Sequence, residues 1–198
     1  MQKSSISYIL RLSFPIFFAN LAIPLVGIID TALMGNLGNL SYLTATSVAA
    51  NLFSMIFWSF GFLRMGTVGM VSQALGQNSY QEILNIILRN LLLVLIVSAL
   101  IFLSQILILN LSLEIFDLSE LTKEFYIQYF KIRIYSAPGE LTLYILTGLF
   151  VGLQKTKISS LIIGFFSILN IFLSIILVTK FDLNIKGVAY GTFFSALI

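Results

Sequence analysis

Four long stretches of this chain carry no charged side chain. They lie between Arg11 and Asp30, between Asp30 and Arg64, between Arg89 and Glu114, and between Lys157 and Lys180. A transmembrane helix needs about 20 residues, because a helix rises about 1.5 Å per residue and the hydrocarbon core is about 30 Å thick. Each stretch is about that long or longer, and none shows the sustained polar alternation of an outer-membrane barrel strand. The chain is therefore expected to be an all-α integral membrane protein, whose helices satisfy their own backbone groups.

The composition excludes several other classes of protein. Charged residues make up only 10% of the chain and hydrophobic residues 59%, whereas about a quarter of a soluble domain is charged. The net charge of +3 is too small and too scattered to predict nucleic-acid binding. Because the sequence contains neither Cys nor His, disulfides and the usual zinc sites are excluded. No phosphate-binding glycine loop, nucleophile triad or metal cluster is present, so we predict neither an enzyme nor a cofactor.

Hydropathy predicts five complete spans and a sixth that is cut short. The expected limits are about 12–37, 44–72, 84–109, 132–153, 158–179 and 185–198. The polar segment 110–124 is expected to be a surface loop or an interfacial helix. Only twelve residues follow Lys186, which is about 18 Å of helix and too short to cross. We therefore expect a fragment of a longer product, a split or damaged reading frame, or a half-size transporter.

The distribution of basic residues predicts a cytoplasmic N-terminus. This orientation places five basic residues on the cytoplasmic side: Lys3, Arg11, Arg89, Lys155 and Lys157. The opposite side then carries Lys123, Lys180 and Lys186 beside the acidic Glu114, Asp117, Glu120 and Glu124. The bias follows the positive-inside rule, although the same orientation also places Lys131 and Arg133 outside.

One carboxylate falls inside the first expected span. With about 100° per residue, Asn20, Gly27, Asp30 and Met34 lie within a wedge of roughly 80° on a helix. A carboxylate in a span is costly and usually faces a cavity or a partner. Asp30 is therefore the predicted proton- or cation-coupling site, with sodium as one candidate, and Asn20 is predicted to line its cavity. In the alternative, Asp30 pairs with a structural arginine or caps a helix broken near Pro24.

The fifth expected span carries a second polar stripe. Gly164, Ser167, Asn170 and Ser174 lie within about 120° of one another on a helix otherwise built of Ile, Leu and Phe. Asn170 and Ser174 either line a cavity with Asp30 or form hydrogen bonds between helices. In the sixth span, small residues recur every four positions, which predicts a packing face: Gly187, Gly191 and Ser195.

Two further charged residues have open roles. Arg64 is expected to snorkel to the cytoplasmic surface, with gating as its alternative. Glu140 follows Arg133 by seven residues on the same helix face, so an outer-leaflet ion pair is expected, with gating or a second proton site as alternatives. Pro24 and Pro138 are candidates for kinks that open cavities.

Several segments of the sequence resemble one family of transporters. The stretch LSFPIFFANLAIPLVGIIDTALMGNLGNL, with its early Pro, late Asp and G-x-L-G end, resembles the opening helix of multidrug and toxic compound extrusion (MATE) transporters. FGFLRMGTVGMVSQALGQNSYQE resembles the DNA-damage-inducible F (DinF) branch of that family. GLFVGLQKTK, ILNIFLSIILV and IKGVAYGTFFSA resemble the family's fourth, fifth and sixth helices in order. The resemblance covers almost the whole chain.

The resemblance implies a fold and a function. Such transporters have twelve helices in two six-helix lobes, so residues 1–198 would form the N-terminal lobe with a truncated sixth helix and without the C-terminal lobe. They reside in the cell (inner) membrane and export organic, often cationic compounds in exchange for protons or sodium. The resemblance assigns protonation to Asp30 and maps the family's fifth-helix Asn and sixth-helix Thr onto Asn170 and Thr192. The expected partners are a small organic substrate, the lipid bilayer, and a C-terminal lobe or second copy.

The sequence departs from the family at one position. Many relatives carry a second Asp four residues after the fifth-helix Asn, where this chain has Ser174. A site with two carboxylates is therefore not expected, and Asp30 must act with neutral neighbours. Two alternatives to a drug antiporter remain open at this stage: a lipid-linked oligosaccharide flippase of the same superfamily, and a non-transporting remnant or assembly subunit.

Overall fold

The computed structural model describes the backbone of residues 2–198 and the side chains of residues 13, 14, 17, 21, 22 and 24–198. Within residues 2–198 the chain forms nine α-helices and one short 3-10 helix, with no β-strand. The α-helices are α1 (Gln2–Asn36), α2 (Leu40–Ser59), α3 (Phe62–Gly76), α4 (Tyr80–Leu103), α5 (Gln105–Ile115), α6 (Glu120–Arg133), α7 (Ala137–Gly152), α8 (Thr156–Thr179) and α9 (Asn184–Leu197). The predicted all-α fold is confirmed.

Several of these helices join end to end into membrane-spanning segments. In the described part of the chain, four segments are long and apolar enough to cross a bilayer: Leu40–Gly76, Tyr80–Leu103, Glu120–Gly152 and Thr156–Thr179. Many large apolar side chains on their surfaces are exposed, Leu92, Leu95 and Phe165 among them. Such surfaces suit lipid or a further protein layer and not water. The chain is therefore a multi-pass membrane protein.

The expected fourth span begins much earlier than hydropathy indicates. The helix starts at Glu120, whereas the sequence analysis expected a loop or interfacial helix up to 124 and a span from about 132. Its buried side chains follow a helical repeat, with Tyr126, Tyr129 and Arg133 facing the protein interior. Lys131 lies on the exposed side. Because the charges interrupt the apolar run, a hydropathy window misses a helix that the periodicity contains.

A short 3-10 helix, Ile134–Ser136, separates α6 from α7. Pro138 lies in the first turn of α7, where its missing N–H removes one hydrogen bond to the preceding turn. By contrast, α1 runs through Pro24 without a break, and Pro24 is exposed. The alternative in which Asp30 caps a helix broken near Pro24 is therefore wrong.

Two of the closest helix contacts, that of α7 with α3 and that of α9 with α8, have glycine on the contact face. On one side, α1 and α9 pack against α8, and on the other, α3 packs against α7. A methyl group added to Gly148 would lie 2.8 Å from the carbonyl oxygen of Arg64, and one added to Gly187 would lie 3.0 Å from the backbone of Leu177. These close approaches are typical of membrane helices that pack through small residues. The predicted packing face of the last span is confirmed.

The part of the buried core between α2 and α6 is rich in aromatic rings. The Phe53 ring centroid is 5.3 Å from that of Phe130 and 6.4 Å from that of Tyr129. Tyr126 is fully buried beside them, and its hydroxyl lies 2.7 Å from Ser112 Oγ of α5. Aromatic rings bury large apolar areas in fixed geometries, so this core fixes α6 at the place where Arg133 enters the interior.

Candidate functional site

Asp30 lies in the last part of α1, where that helix packs on α8. The residue is only 8% exposed, and its Oδ1 atom has no hydrogen-bond partner. The hydroxyl of Ser174 on α8 faces the carboxyl group. Buried polar atoms normally have partners, so a carboxylate oxygen without one is a candidate site for a proton, an ion or a ligand group.

The polar stripe of α8 faces the same interface. Asn170 and Ser174 are both fully buried, and Ser174 Oγ donates a long hydrogen bond of 3.4 Å to Asn170 Oδ1. Asn170 Nδ2 and, one turn earlier, Ser167 Oγ are buried without partners. Asp30, Ser174 and Asn170 therefore form one continuous polar group, with an unpaired acceptor on α1 and an unpaired donor on α8.

The last helix closes this group from the other side. Gly191 lies against Ser174: a methyl group added to Gly191 would be 2.8 Å from Ser174 N. The next residue, Thr192, is buried, and its hydroxyl donates to the carbonyl oxygen of Val188 in its own helix at 3.3 Å. Asn170, Ser174 and Thr192 are thus enclosed between helices, and their role as cavity-lining residues stays a prediction.

An ion pair lies close to Asp30. The Arg133 guanidinium is bonded to the Glu140 carboxylate and to the Ser136 hydroxyl, across the 3-10 helix. The expected pairing of Arg133 with Glu140 is therefore present. Arg133 is buried at 9% exposure, and its charge lies within electrostatic range of Asp30. Arg133 was expected on the outer side of the membrane, which stays a prediction, and its side chain lies in the interior of the helix bundle.

Tyr129 completes the cluster and was missed by the sequence analysis. It lies one turn before Arg133 on α6, fully within the core and within electrostatic range of the guanidinium. Its charge environment includes both Asp30 and Glu140. The signal that could have identified it is the spacing of Tyr126, Tyr129 and Arg133, since residues three or four apart lie on one helix face.

The remaining predicted residues lie away from this cluster or cannot be placed. Arg64 on α3 is half-buried and lines a cavity of about 410 Å³ together with Trp58 and Tyr144. Pro24 is exposed on α1. The side chain of Asn20 lies outside the described residues. A separate cavity of about 610 Å³ between α7, α8 and α9 is walled mainly by Leu, Ile and Phe side chains and does not include Asp30.

The chemistry of the cluster suits a proton or a hard cation. Asp30 supplies a carboxylate oxygen, and Ser174 and Asn170 supply neutral oxygens, the ligand type that hard cations take. The described residues contain no group of three or more His, Cys, Asp or Glu that could hold a metal ion. A single carboxylate with neutral neighbours can carry one proton or one monovalent cation, whereas divalent metals usually take more carboxylate ligands.

Comparison with known proteins identifies the family of the chain. The MatE family profile matches residues 15–176. The chain is 35% identical over 182 residues to the DNA damage-inducible protein F of Escherichia coli (strain K12), covering 92% of this chain and 40% of that protein. The chain therefore belongs to the MatE family, in its DinF-like branch, and fits the N-terminal half of such a protein.

Solved structures show the same fold. One is a multidrug resistance MATE family transporter of the MOP superfamily in an outward-facing conformation, with a TM-score of 0.87 and 21% identity over 96% of this chain and 42% of that one. A MOP superfamily transporter from Pyrococcus furiosus, described as having a binding pocket of reverse polarity, gives the same values. The fold class of a MATE-type N-terminal lobe is confirmed, and the chain spans about two-fifths of the length of these relatives.

Proposed function

We propose that this chain contributes the N-terminal lobe of a secondary transporter that exports organic, cationic compounds in exchange for protons or sodium, with Asp30 as the coupling group. Because the chain spans about two-fifths of its relatives, the working transporter includes a second lobe, supplied by a C-terminal half or by a second copy. We further propose that it lies in the cytoplasmic membrane with its N-terminus inside, as the distribution of basic residues indicates.

One observation carries this proposal: the carboxylate of Asp30 is buried beside Ser174 and Asn170 in a largely apolar lobe, and one of its oxygens has no hydrogen-bond partner. An ionised carboxylate there is poorly solvated and gains from a bound cation or a proton. A ligand shifts a conformational equilibrium only by its difference in affinity for the two states. The affinity of Asp30 for a proton or Na⁺ differs between the two states if α1 and α8 approach each other to different extents in them.

Because Ser174 is neutral, the site has one carboxylate, and this sets how many coupling ions it binds. With one carboxylate at the α1–α8 interface, the lobe gains or loses one charge when Asp30 binds a proton or Na⁺. An organic cation and a coupling ion would then compete for the same negative charge. Such competition couples export to ion entry without any contact between the two ligands, because each binds only when the other has left.

The test is Asp30→Asn in the full-length protein reconstituted in proteoliposomes. We expect gradient-driven efflux of a fluorescent quaternary ammonium dye to be lost while expression and folding are unchanged, because Asn is nearly isosteric but cannot ionise. Asp182→Asn is the matched control: Asp182 is exposed in the loop before α9 with a φ of 50°, a conformation that Asn tolerates well. Undiminished efflux by Asp30→Asn would refute the coupling role. Driving efflux with a pH gradient or a Na⁺ gradient alone identifies the coupling ion.

The alternatives gain no support from the site. A flippase for lipid-linked sugars would be favoured by several arginines free to bind a pyrophosphate, but Arg133, the arginine beside Asp30, is already paired with Glu140. A remnant without transport activity would be identified by failure of the unmodified full-length protein in the same dye assay.

A further inference from the structure

The junction between α6 and α7 has features of a hinge held by side chains. A 3-10 segment inside a long helix has weaker hydrogen-bond geometry than α-helix and often marks a point of bending. Arg133 precedes this segment, Glu140 follows it, and the two are joined by an ion pair. Ser136, inside the segment, lies 2.7 Å from the carbonyl oxygen of Arg133 and 3.2 Å from Glu140 Oε1. These contacts form a clamp across the junction.

The cation of this clamp is buried and has more than one possible partner. The Arg133 guanidinium lies 5.2 Å from the ring centroids of both Phe53 and Phe57 on α2. Arginine stays protonated in proteins and presents five donors in a rigid fork. In the same interior, Tyr129 and the carboxylate of Asp30 both lie within electrostatic range of the guanidinium.

The number of charges near the guanidinium changes when Asp30 ionises. When Asp30 is neutral, Arg133 and Glu140 form a balanced pair. When Asp30 is ionised, two carboxylates lie within electrostatic range of one guanidinium, and charges interact more strongly in a low-dielectric interior than in water. Tyr129 lies within electrostatic range of all three charged groups.

We propose that Arg133 is a positioning residue that couples Asp30 to the α6–α7 junction: it clamps Glu140 across the 3-10 segment when Asp30 is neutral and turns toward Asp30, releasing the clamp, when Asp30 is ionised. This inference rests on the proposed function of Asp30. The groups that face Arg133 are Asp30 from α1, Phe53 and Phe57 from α2, Tyr129 from α6 itself and Glu140 from α7, and α8 presents Ser174 to Asp30. On α7, Tyr144 lies within electrostatic range of both Glu140 and Arg64 of α3, so Arg64 is a further charge near this group.

The chain offers a matched ion pair without this burial. Glu82 and Arg89 on α4 are also seven residues apart, at 3.5 Å, but their side chains are 42% and 70% exposed. Exposed pairs contribute little and have no second buried partner. Arg89→Met therefore removes the same kind of charge from the same kind of helix and serves as the control for Arg133→Met.

The experiment measures a distance across the junction in the full-length protein in lipid bilayers. Spin labels are placed at Leu121→Cys and Lys155→Cys, both exposed positions flanking the α6–α7 segment and about 50 Å apart for a continuous helix. These 198 residues contain no native cysteine, and any cysteine elsewhere is replaced first. The distances are measured by electron–electron double resonance at about pH 5.5 and about pH 8. These two pH values bracket the titration range of a buried carboxylate.

We expect two distance populations whose ratio changes by roughly fivefold or more between the two pH values. Arg133→Met abolishes this change, Arg133→Lys restores part of it, and Arg89→Met leaves it intact. A pH-dependent change that persists in Arg133→Met overturns the proposal.

Asp30→Asn provides a second test of the proposal, which does not depend on whether Arg133→Met folds. This variant must show the low-pH distribution at both pH values, since the second carboxylate is gone. A variant that has lost dye efflux but still shifts with pH overturns the coupling through Arg133 and leaves the transport role of Asp30 intact. A variant that keeps efflux but no longer shifts refutes the transport role and supports the hinge.

Discussion

Substitution of Gly191 by Ala tests the packing of α9 directly on the polar site. The added methyl group would lie 2.8 Å from Ser174 N and 3.0 Å from Ser174 Cα. Because both atoms belong to the backbone of α8, no side-chain rotation relieves the contact. The helices must separate, and Ser174 must move away from Asp30. The structure therefore predicts a loss of stability and of transport together.

The size of the stability loss caused by Gly191→Ala follows from comparison with a control substitution on the neighbouring helix. Gly164 on α8 has no heavy atom within 4 Å of an added methyl group. Both substitutions gain about 1 kcal/mol in helix propensity, so that contribution cancels in the difference between them. What remains is the cost of overpacking, typically about 1–3 kcal/mol. The backbone contacts place Gly191→Ala in the upper half of this range, about 2–3 kcal/mol less stable than Gly164→Ala.

The assay is unfolding of the full-length variants by SDS in mixed micelles, with dye efflux measured in parallel. Gly164→Ala is expected to be as stable as the unmodified protein or slightly more stable. If Gly191→Ala unfolds at the same SDS fraction as Gly164→Ala and transports normally, then α9 does not pack on Ser174 as the structure has it, and the enclosure of the site from that side is refuted.

Two further predictions address the fold and its orientation. Asn90→Leu removes the buried hydrogen bond of 2.9 Å from Asn90 Nδ2 to Thr67 Oγ1 between α4 and α3, while Thr67 keeps its bond of 2.6 Å to the Leu63 carbonyl. SDS unfolding should show a loss of stability of about 0.6–1.7 kcal/mol. An unchanged stability would show that this bond does not join the helices. Single cysteines at the exposed Lys155 and Lys180 should react with an impermeant maleimide from the cytoplasmic and the outer side respectively, and labelling of both from one side would contradict the proposed topology.

The sequence alone predicted the fold class and selected Asp30 as the candidate site residue. Whether a helix crosses a bilayer depends on its length and hydropathy, which are local properties of the chain. An intramembrane carboxylate is costly wherever the helix lies, so Asp30 could be identified before any helix was placed. The ion pair of Arg133 with Glu140 was also predictable, because seven residues separate positions on one face of one helix.

The tertiary structure decided what could not be read from local spacing. Hydropathy placed the start of the fourth span near 132, and only the packing of α6 against α2 shows that Arg133 lies in the interior, over the rings of Phe53 and Phe57. The approach of Ser174 to Asp30 depends on the contact of α1 with α8, between residues far apart in the chain. Periodicity specifies which face of a helix is buried, but the partner of that face is fixed only when all the helices pack together. Asp30 and the polar stripe of α8 were therefore selected as candidates from the sequence, whereas their approach to each other and to Arg133 and Tyr129 depended on the fold.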